Sequence, residues 1–175
     1  VITDLAASAG ISAQNGTNVF SINYGTTAHN DFLVTPQIAV VAGVSDKLTF
    51  WGRSRDASFP ETISVKASTT TATAAAFTTT LAATIAPAGG TSFYKYTIDL
   101  ASFAGQSIYV GFHSQTTDQF VFDIDNVVVG TTVSCIEPTS ALTFTNVTNT
   151  SLNLAWTAAT PAPAQGYDIY YSTSG

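Results

Sequence analysis

Charged residues are scarce in this chain. Lys, Arg, Asp and Glu together make up 9% of the 175 residues, against about 25% in an ordinary soluble domain. Only 5 residues are Lys or Arg, against 11 that are Asp or Glu, and the net charge is −6. A nucleic-acid-binding protein needs basic side chains to neutralise phosphates. The composition therefore excludes nucleic acid as a partner.

Other missing features bear on membrane insertion, on the origin of the chain and on cysteine chemistry. No apolar run approaches the roughly 20 residues of a membrane span, which predicts that the chain does not insert into a membrane. Met is missing even at position 1, which indicates an internal or processed piece of a longer protein. The single cysteine, Cys135, has no internal disulfide partner and lies outside any zinc-binding pattern. It is either a small residue at a domain junction or bonded to a cysteine elsewhere.

Signatures of catalysis are also missing. The two histidines, His29 and His113, are not part of G-x-S-x-G or H-E-x-x-H motifs. Asp56 and Glu61 have the chemistry of a glycosidase carboxylate pair, but nothing in the sequence places them across a cleft. We therefore predict no catalytic residues and no enzymatic activity.

Strand patterns, by contrast, fill the first 130 residues. Short runs of β-branched and aromatic residues alternate with polar ones and are separated by Gly-containing turns. The predicted strands are 18–23, 47–51, 62–68, 92–100, 107–113 and 119–129. The only helix-friendly stretch, 72–81, is rich in Thr, which disfavours a helix. Many short strands at this spacing predict an all-β sandwich rather than a parallel α/β sheet.

The pattern changes after residue 130. Residues 131–138 have the composition of a linker, and strand patterns follow at 141–144, 151–156 and 166–171. A pattern that ends at Trp156, P-x(3)-L-x(4)-V-T-x-T-S-L-x-L-x-W, is followed by G-Y-D-I-Y-Y. Together they resemble the opening of a fibronectin type III domain. The resemblance implies that 139–175 are the first strands of such a sandwich. A whole domain needs about 100 residues, so the other strands are expected in following residues or in another chain.

Five motifs follow one another between Asn30 and Val129. They read N-D-F-L-V-T-P-Q-I, K-L-T-F-W-G-R-S-R-D-A-S-F-P-E, Y-K-Y-T-I-D-L, G-Q-S-I-Y-V-G-F-H and T-D-Q-F-V-F-D-I-D-N-V-V-V. In this order they closely resemble the cleaved adhesin, or choice-of-anchor J, domains of Bacteroidetes surface proteins. The resemblance covers roughly 12–130. It implies a non-enzymatic jelly-roll β-sandwich over 1–130, often with structural calcium, and export to the cell surface, often by type IX secretion.

The front of the chain departs from this family. Members usually open with an aromatic-rich strand and a D-x-D-G-D-G loop that holds calcium. This chain starts V-I-T-D-L and has only Asp4 as an acidic residue before Asn15. We therefore expect the family's first strand and loop to be lost or replaced, which puts that calcium site in doubt.

Another set of oxygen-bearing side chains predicts a calcium ion. Asp123 and Asp125 are two residues apart, on one face of a predicted strand, with Asn126 beside them, and Asn30 and Asp31 lie in a matching motif. Two carboxylates on one face repel unless a cation or hydrogen-bond donors compensate. Calcium takes six to eight oxygen ligands. The alternative is that these residues cap turns and solvate a strand end.

The segment R-S-R-D-A-S-F-P-E holds two of the five basic residues. In one interpretation, Arg55, Asp56 and Glu61 form a recognition loop for a polar partner, with Phe59 as an aromatic platform. In the other, the charges are surface ion pairs, each worth less than about 1 kcal/mol.

Three functions remain open. The first is a non-catalytic adhesion or structural module of a large secreted or surface protein, associated with the outer membrane and stabilised by calcium. Its expected partners are a host or matrix protein or glycan and the neighbouring domains of the same polypeptide. The second is a carbohydrate-binding module of a secreted enzyme, with Phe59, Tyr94 and Tyr96 as stacking aromatics. The third is a repeat unit of a surface filament, whose terminal strands a neighbour completes.

Overall fold

A computed structural model of the chain describes residues 2–4, 12–28, 30–131, 140–159 and 167. The chain divides into two units, Val1–Thr131 and Thr132–Gly175. Cys135 and His29 lie outside the described residues. None of the helical segments in the described part of the chain has the length and apolar content of a membrane span.

The described part of the first unit contains ten strands in two antiparallel sheets. The strands are β1 (Ile2–Asp4), β2 (Asn18–Ile22), β3 (Asp31–Val34), β4 (Ile38–Ala39), β5 (Lys47–Ser54), β6 (Ile63–Ser68), β7 (Thr79–Ile85), β8 (Tyr94–Asp99), β9 (Ser107–Ser114) and β10 (Phe122–Gly130). The first sheet has the order β1-β2-β10-β5-β8. The second has the order β3-β9-β6-β7, and β4 also pairs with β9.

The inner faces of the two sheets share one apolar core. Phe50 of β5 and Phe122 of β10 contribute from the first sheet, and Val65 of β6 and Phe112 of β9 contribute from the second. All four side chains are at most 1% exposed. The rings of Phe50 and Phe112 meet edge to face at 4.9 Å, which joins the two sheets directly. The predicted all-β sandwich is confirmed.

The observed strands follow the predicted ones, with local differences at their ends. The stretch 72–81 contains a 3₁₀ turn, Ala74–Ala76, and the start of β7 rather than a helix. β5 continues to Ser54, because Arg53 and Ser54 still pair with β10. β1 pairs with β2 at a sheet edge and is a strand of three residues, I-T-D.

The second unit contains a hairpin of β11 (Thr143–Thr145) and β12 (Asn153–Ala155). The rings of Trp156 and Tyr167 meet edge to face at 5.7 Å. Apart from Tyr167, the strand predicted at 166–171 lies outside the described residues. The fibronectin type III assignment of this unit stays a prediction.

Three loops of the first unit lie at one end of the sandwich, which we call the loop end. They are residues 23–30 between β2 and β3, 55–62 between β5 and β6, and 115–121 between β9 and β10. Phe122 pairs with both Ile22 and Ser54, and Ser114 pairs with both Asp31 and Ile63. Within each sheet, the strand ends that carry the three loops therefore lie side by side.

A buried histidine lies just below the loop end. His113 of β9 is 2% exposed, and its ring stacks on Phe32 at 4.0 Å. Its Nε2 lies 3.0 Å from Asn30 Oδ1, and its Nδ1 lies 3.5 Å from Ser64 Oγ. A neutral ring satisfies both contacts, with Nε2–H donating and Nδ1 accepting. Burial lowers the pKa of His113 below its ordinary value of 6.5, Lys66 lowers it further, and Asp31 opposes both.

We expect this histidine to make stability depend on pH. Because its pKa is lower in the folded than in the unfolded chain, its contribution is full above about pH 6.5 and is lost as the pH falls through the folded pKa. The free energy of urea unfolding should therefore decrease between about pH 7.5 and pH 5, above the range where carboxylates titrate. His113→Gln should flatten this decrease. An unchanged pH slope in the variant would contradict the assignment.

Candidate binding surface at the loop end

A buried ion cluster joins three strands just below the loop end. Asp123 of β10 is 0% exposed and accepts five hydrogen bonds. Arg53 donates to Oδ2 from Nε at 2.8 Å and from Nη2 at 2.5 Å. Arg55 donates to Oδ2 from Nε at 2.8 Å and to Oδ1 from Nη2 at 2.8 Å. The hydroxyl of Ser21 on β2 donates to Oδ1 at 2.7 Å.

The two guanidinium groups are themselves well enclosed. The Arg53 side chain is 2% exposed and that of Arg55 is 14% exposed. Arg53 Nη1 donates to the carbonyl oxygen of Thr91 at 3.2 Å, and its guanidinium lies 4.1 Å from the centre of the Phe93 ring. Removing charges from water is costly unless their hydrogen-bonding groups find partners. Planar guanidinium groups meet this condition because they donate several hydrogen bonds in fixed directions.

Asp125 holds a different segment of the chain. It lies opposite Trp51 while Asp123 lies opposite Arg53, so both carboxylates are on the same sheet face, as their spacing predicted. Asp125 Oδ2 accepts from the backbone N–H groups of Gln14 at 2.8 Å and Asn15 at 3.1 Å. Its Oδ1 accepts from the backbone N–H of Asn126 at 2.6 Å. Hydrogen-bond donors thus compensate both carboxylates on this face.

These contacts do not fit the five residues predicted to bind calcium. The oxygens of Asp123 are occupied by N–H and O–H donors, and two adjacent guanidinium groups would repel a cation. Asn126 is exposed and has φ of 48° where the register of β10 shifts, while Asn30 and Asp31 belong to the second sheet and its loop. Among the described residues, no three His, Cys, Asp or Glu side chains form a metal-binding group.

The segment 53–61 does not form the expected surface ion pairs. Arg55 pairs with Asp123, and Asp56 Oδ1 accepts from the backbone N–H groups of Ser58 at 2.7 Å and Phe59 at 3.0 Å. Glu61 is 0% exposed. Of the four residues predicted to bind a ligand, Arg55 and Glu61 are therefore engaged in the scaffold, Asp56 shapes its own turn, and Phe59 reaches solvent.

Exposed aromatic side chains are present on all three loops of the loop end. Tyr24 is 57% exposed, Phe59 is 55% exposed and Phe120 is 43% exposed, and we call these three the loop-end aromatics. Backbone hydrogen bonds join the loops: Phe120 N–H donates to the Phe59 carbonyl at 3.0 Å, and Asp118 N–H donates to the Gly25 carbonyl at 2.9 Å. Exposed aromatic groups on adjacent, tied loops are typical of protein-binding surfaces.

Sequence reasoning found Phe59 but missed Tyr24 and Phe120. Tyr24 stands in the turn-like segment N-Y-G after a strand, and an aromatic residue in a turn is the signal that could have identified it. Phe120 carried no such signal, because the sequence predicted it inside a strand over 119–129, whereas the observed strand begins at Phe122. The predicted row of Phe59, Tyr94 and Tyr96 does not form a common exposed platform, because Tyr96 packs against the core, stacked on Phe50 at 5.3 Å.

A cavity of about 540 Å³ adjoins Tyr24. It lies between β2 of the first sheet and β3 of the second. Polar groups of Asn23 and Asp31 line it together with the apolar side chains of Phe20 and Leu33. An aromatic ring with amide and carboxylate neighbours is a combination suited to a polar organic ligand.

Comparisons with known proteins identify relatives of the first unit. The model of the Cleaved Adhesin Domain family matches residues 3–129. The K1 cleaved adhesin domain of Lys-gingipain from Porphyromonas gingivalis W83 is 26% identical, with a TM-score of 0.57, over 73% of this chain and 87% of that one. No curated protein matches the chain.

Two further solved structures share the fold. The K3 cleaved adhesin domain of Lys-gingipain from Porphyromonas gingivalis w83 is 22% identical, with a TM-score of 0.54, over 75% of this chain and 91% of that one. The K2 cleaved adhesin domain of Lys-gingipain is 18% identical, with a TM-score of 0.53, over 73% of this chain and 86% of that one.

The buried cluster generates a prediction about stability. Asp123→Ala should lower the free energy of unfolding by about 3–5 kcal/mol, because it leaves two enclosed guanidinium groups without their counter-charge. Urea unfolding of both proteins measures the difference.

Asp99→Ala provides the matched control. Asp99 pairs with Lys47 at 2.8 Å, but its side chain is 68% exposed, so its loss should change stability little. Equal effects of the two substitutions would show that burial does not give Asp123 its importance.

Proposed function

Because residues 3–129 make this chain a member of the cleaved adhesin domain family, we propose that it is a non-catalytic adhesion module of a secreted or cell-surface protein. The observation that carries the proposal is this family match, which the solved K1 adhesin domain of Lys-gingipain supports at 26% identity. Export by type IX secretion in a Bacteroidetes organism, and association with the outer membrane, are parts of the same proposal.

The loop-end aromatics are the proposed contact surface for a host or matrix protein. Aromatic side chains bury large areas at a small entropic cost, and they are frequent among residues that dominate binding energy. The loops that carry them are tied to each other and rest near a buried ion cluster, so little ordering is required on binding. The chain has few charges, so apolar contact rather than electrostatic attraction is expected to supply the affinity.

The site chemistry also favours binding over catalysis. Two groups that could act as acid or base are out of reach, because His113 is buried below the loops and Asp123 is held by two arginines. Neither group can reach a substrate at the surface. A hydrolytic mechanism needs a nucleophile and a base that converge on one accessible point.

A carbohydrate ligand is the second candidate. The cavity beside Tyr24 favours it, because Asn23 and Asp31 could hydrogen-bond to hydroxyl groups while an aromatic ring packs on a sugar face. This cavity, rather than the row of Phe59, Tyr94 and Tyr96, is the proposed sugar site.

We expect the wild-type chain to bind at least one of immobilised collagen, laminin and fibronectin, used as representative matrix proteins. The double variant Phe59→Ala/Phe120→Ala should bind more than about tenfold more weakly, since exposed aromatics at interface centres often contribute over 1.4 kcal/mol. Its melting temperature should change little, because about half of each side chain is exposed in the free protein and neither belongs to the apolar core. Surface plasmon resonance and thermal unfolding measure the two quantities.

Val44→Ala is the matched control. Val44 is 63% exposed and lies in the loop 40–46 that precedes β5, at the opposite end of the sandwich. It should bind like the wild type. A wild-type chain that binds none of the matrix proteins would contradict protein adhesion, and binding to a glycan array that Tyr24→Ala abolishes would favour the carbohydrate alternative.

A further inference from the structure

β3 forms one edge of the second sheet. Among the described strands it pairs with β9 alone. Just past this pairing, the backbone N–H of Thr35 donates to the carbonyl of Val110 at 2.9 Å, so the backbone groups of Thr35 point towards β9. In an antiparallel pair, successive residues of a strand direct their backbone groups to opposite edges. The N–H and C=O groups of Phe32 and Val34 therefore point away from β9, towards the open side of the sheet.

Few features of this edge would block pairing with another strand. Natural sheets commonly protect an exposed edge with charged side chains, proline or a covering segment. The only charged residue of β3 is Asp31, at its first position, and Pro36 follows after the strand has ended. The residues between Asp31 and the end of the strand are F-L-V, all half-buried. No described strand covers the backbone groups of Phe32 and Val34.

Two cavities adjoin β3 and meet at Leu33. The cavity of about 540 Å³ lies between β3 and residues 20–24 of β2 and the loop after it. A second cavity, of about 400 Å³, lies between residues 33–38 and the side chains of Val127 and Val129 on β10. Leu33 lines both cavities and packs against the apolar core, so its side chain is on the inner face of the sheet. We call the two cavities together the β3 groove.

We propose that the β3 groove binds an extended polypeptide segment of a partner protein, which adds to the free edge of β3 as a further strand. In strand addition, main-chain hydrogen bonds supply affinity, and pockets for alternate side chains supply selectivity. A strand paired with Phe32 and Val34 would lie about 4.8 Å from β3. Every second side chain of that strand would point between the sheets, into the cavities on either side of Leu33.

The lining of the β3 groove defines the chemistry of the segment. Among the described residues that line the two cavities, Asp31 is the only charged one, and it lies at one end. The second cavity is lined mainly by apolar side chains, among them Ile38, Val127 and Val129. The side chains that point inwards should therefore be uncharged and apolar, such as Val, Ile or Leu. A carbohydrate has no row of alternating N–H and C=O groups to match those of β3.

The β3 groove is distinct from the surface proposed for adhesion. It includes Tyr24 but neither Phe59 nor Phe120, and it does not rest on the adhesive function. It shares the cavity beside Tyr24 with the proposed sugar site. The test must therefore detect pairing with the backbone of β3, which binding in that cavity alone would not produce.

Nuclear magnetic resonance of the isotope-labelled 175-residue chain tests the proposal. The probe is the capped synthetic peptide K-T-V-T-V-T-V-T-K, whose valines occupy alternate positions. It should shift the amide signals of residues 32–34 in a saturable way, with a dissociation constant below about 1 mM. At saturation, hydrogen exchange of the Phe32 and Val34 amides should slow by about tenfold or more, because a new strand covers them. Leu33 is the internal reference, because its amide already faces β9.

Two substitutions of Val34 separate its backbone from its side chain. Val34→Pro removes an N–H that points away from β9, and proline is tolerated at such positions of edge strands. Its melting temperature should change little, whereas its affinity for the peptide should fall by about fivefold or more through loss of a backbone hydrogen bond. Val34→Ala keeps the N–H and should bind more tightly than Val34→Pro.

The double variant Phe59→Ala/Phe120→Ala is the control for the adhesion surface and should bind the peptide like the wild type. The proposal would be overturned by a wild type without saturable shifts, by shifts confined to residues outside the β3 groove, or by equal affinities of Val34→Pro and the wild type. Unchanged exchange of the Phe32 and Val34 amides at saturation would also overturn it. This last measurement uses the wild type alone, so it decides the question even if Val34→Pro does not fold.

Discussion

The loop end depends on the pairing of one buried aspartate with two arginines. Asp123 extends from β10 on the sheet face opposite the core, and its partners come from β2, β5 and the residue that follows β5. The cluster therefore fixes three neighbouring strands at the points where loops leave them. Two of the five basic residues of the chain are used for this purpose. In so sparsely charged a protein, such use indicates that charge contributes to internal order more than to surface interactions.

The features that could be predicted from the sequence are those that depend on neighbouring residues along the chain, such as strand positions and the sheet face of a side chain. Alternation over 62–68 predicted a strand, and the strand Ile63–Ser68 follows it closely, although the structure buries both of its faces, with only Lys66 half-buried. The spacing of Asp123 and Asp125 placed them on one face for the same reason. How their charges are compensated depends on Arg53, 70 residues away in sequence, and no local pattern contains that pairing. Calcium was a reasonable expectation for the two carboxylates, but arginines occupy that position beside Asp123.

The segment 53–61 illustrates a related limit. Its charged residues are close in sequence, which suggested pairing with one another, yet each contacts a different part of the fold. Arg55 faces Asp123, Asp56 turns back on its own loop, and Glu61 accepts a hydrogen bond from Thr116 in the loop 115–121. β5 ends at Ser54, and the loop 55–62 then crosses from the first sheet to the second. Side chains that are only a few residues apart in sequence therefore lie in different parts of the fold. Proximity in sequence therefore predicts contact poorly wherever the chain passes from one layer to another.

The two buried carboxylates near the loop end differ in a way that bears on function. Asp123 is enclosed by donors from side chains alone, so its part of the scaffold is complete within the protein. Glu61 is equally buried, but one of its oxygens has no partner. Buried polar groups of folded proteins are nearly always paired, so this oxygen of Glu61 is an exception within the fold. The loops bearing Phe59 and Phe120 therefore lie near one fully paired carboxylate, Asp123, and one that is only half paired, Glu61.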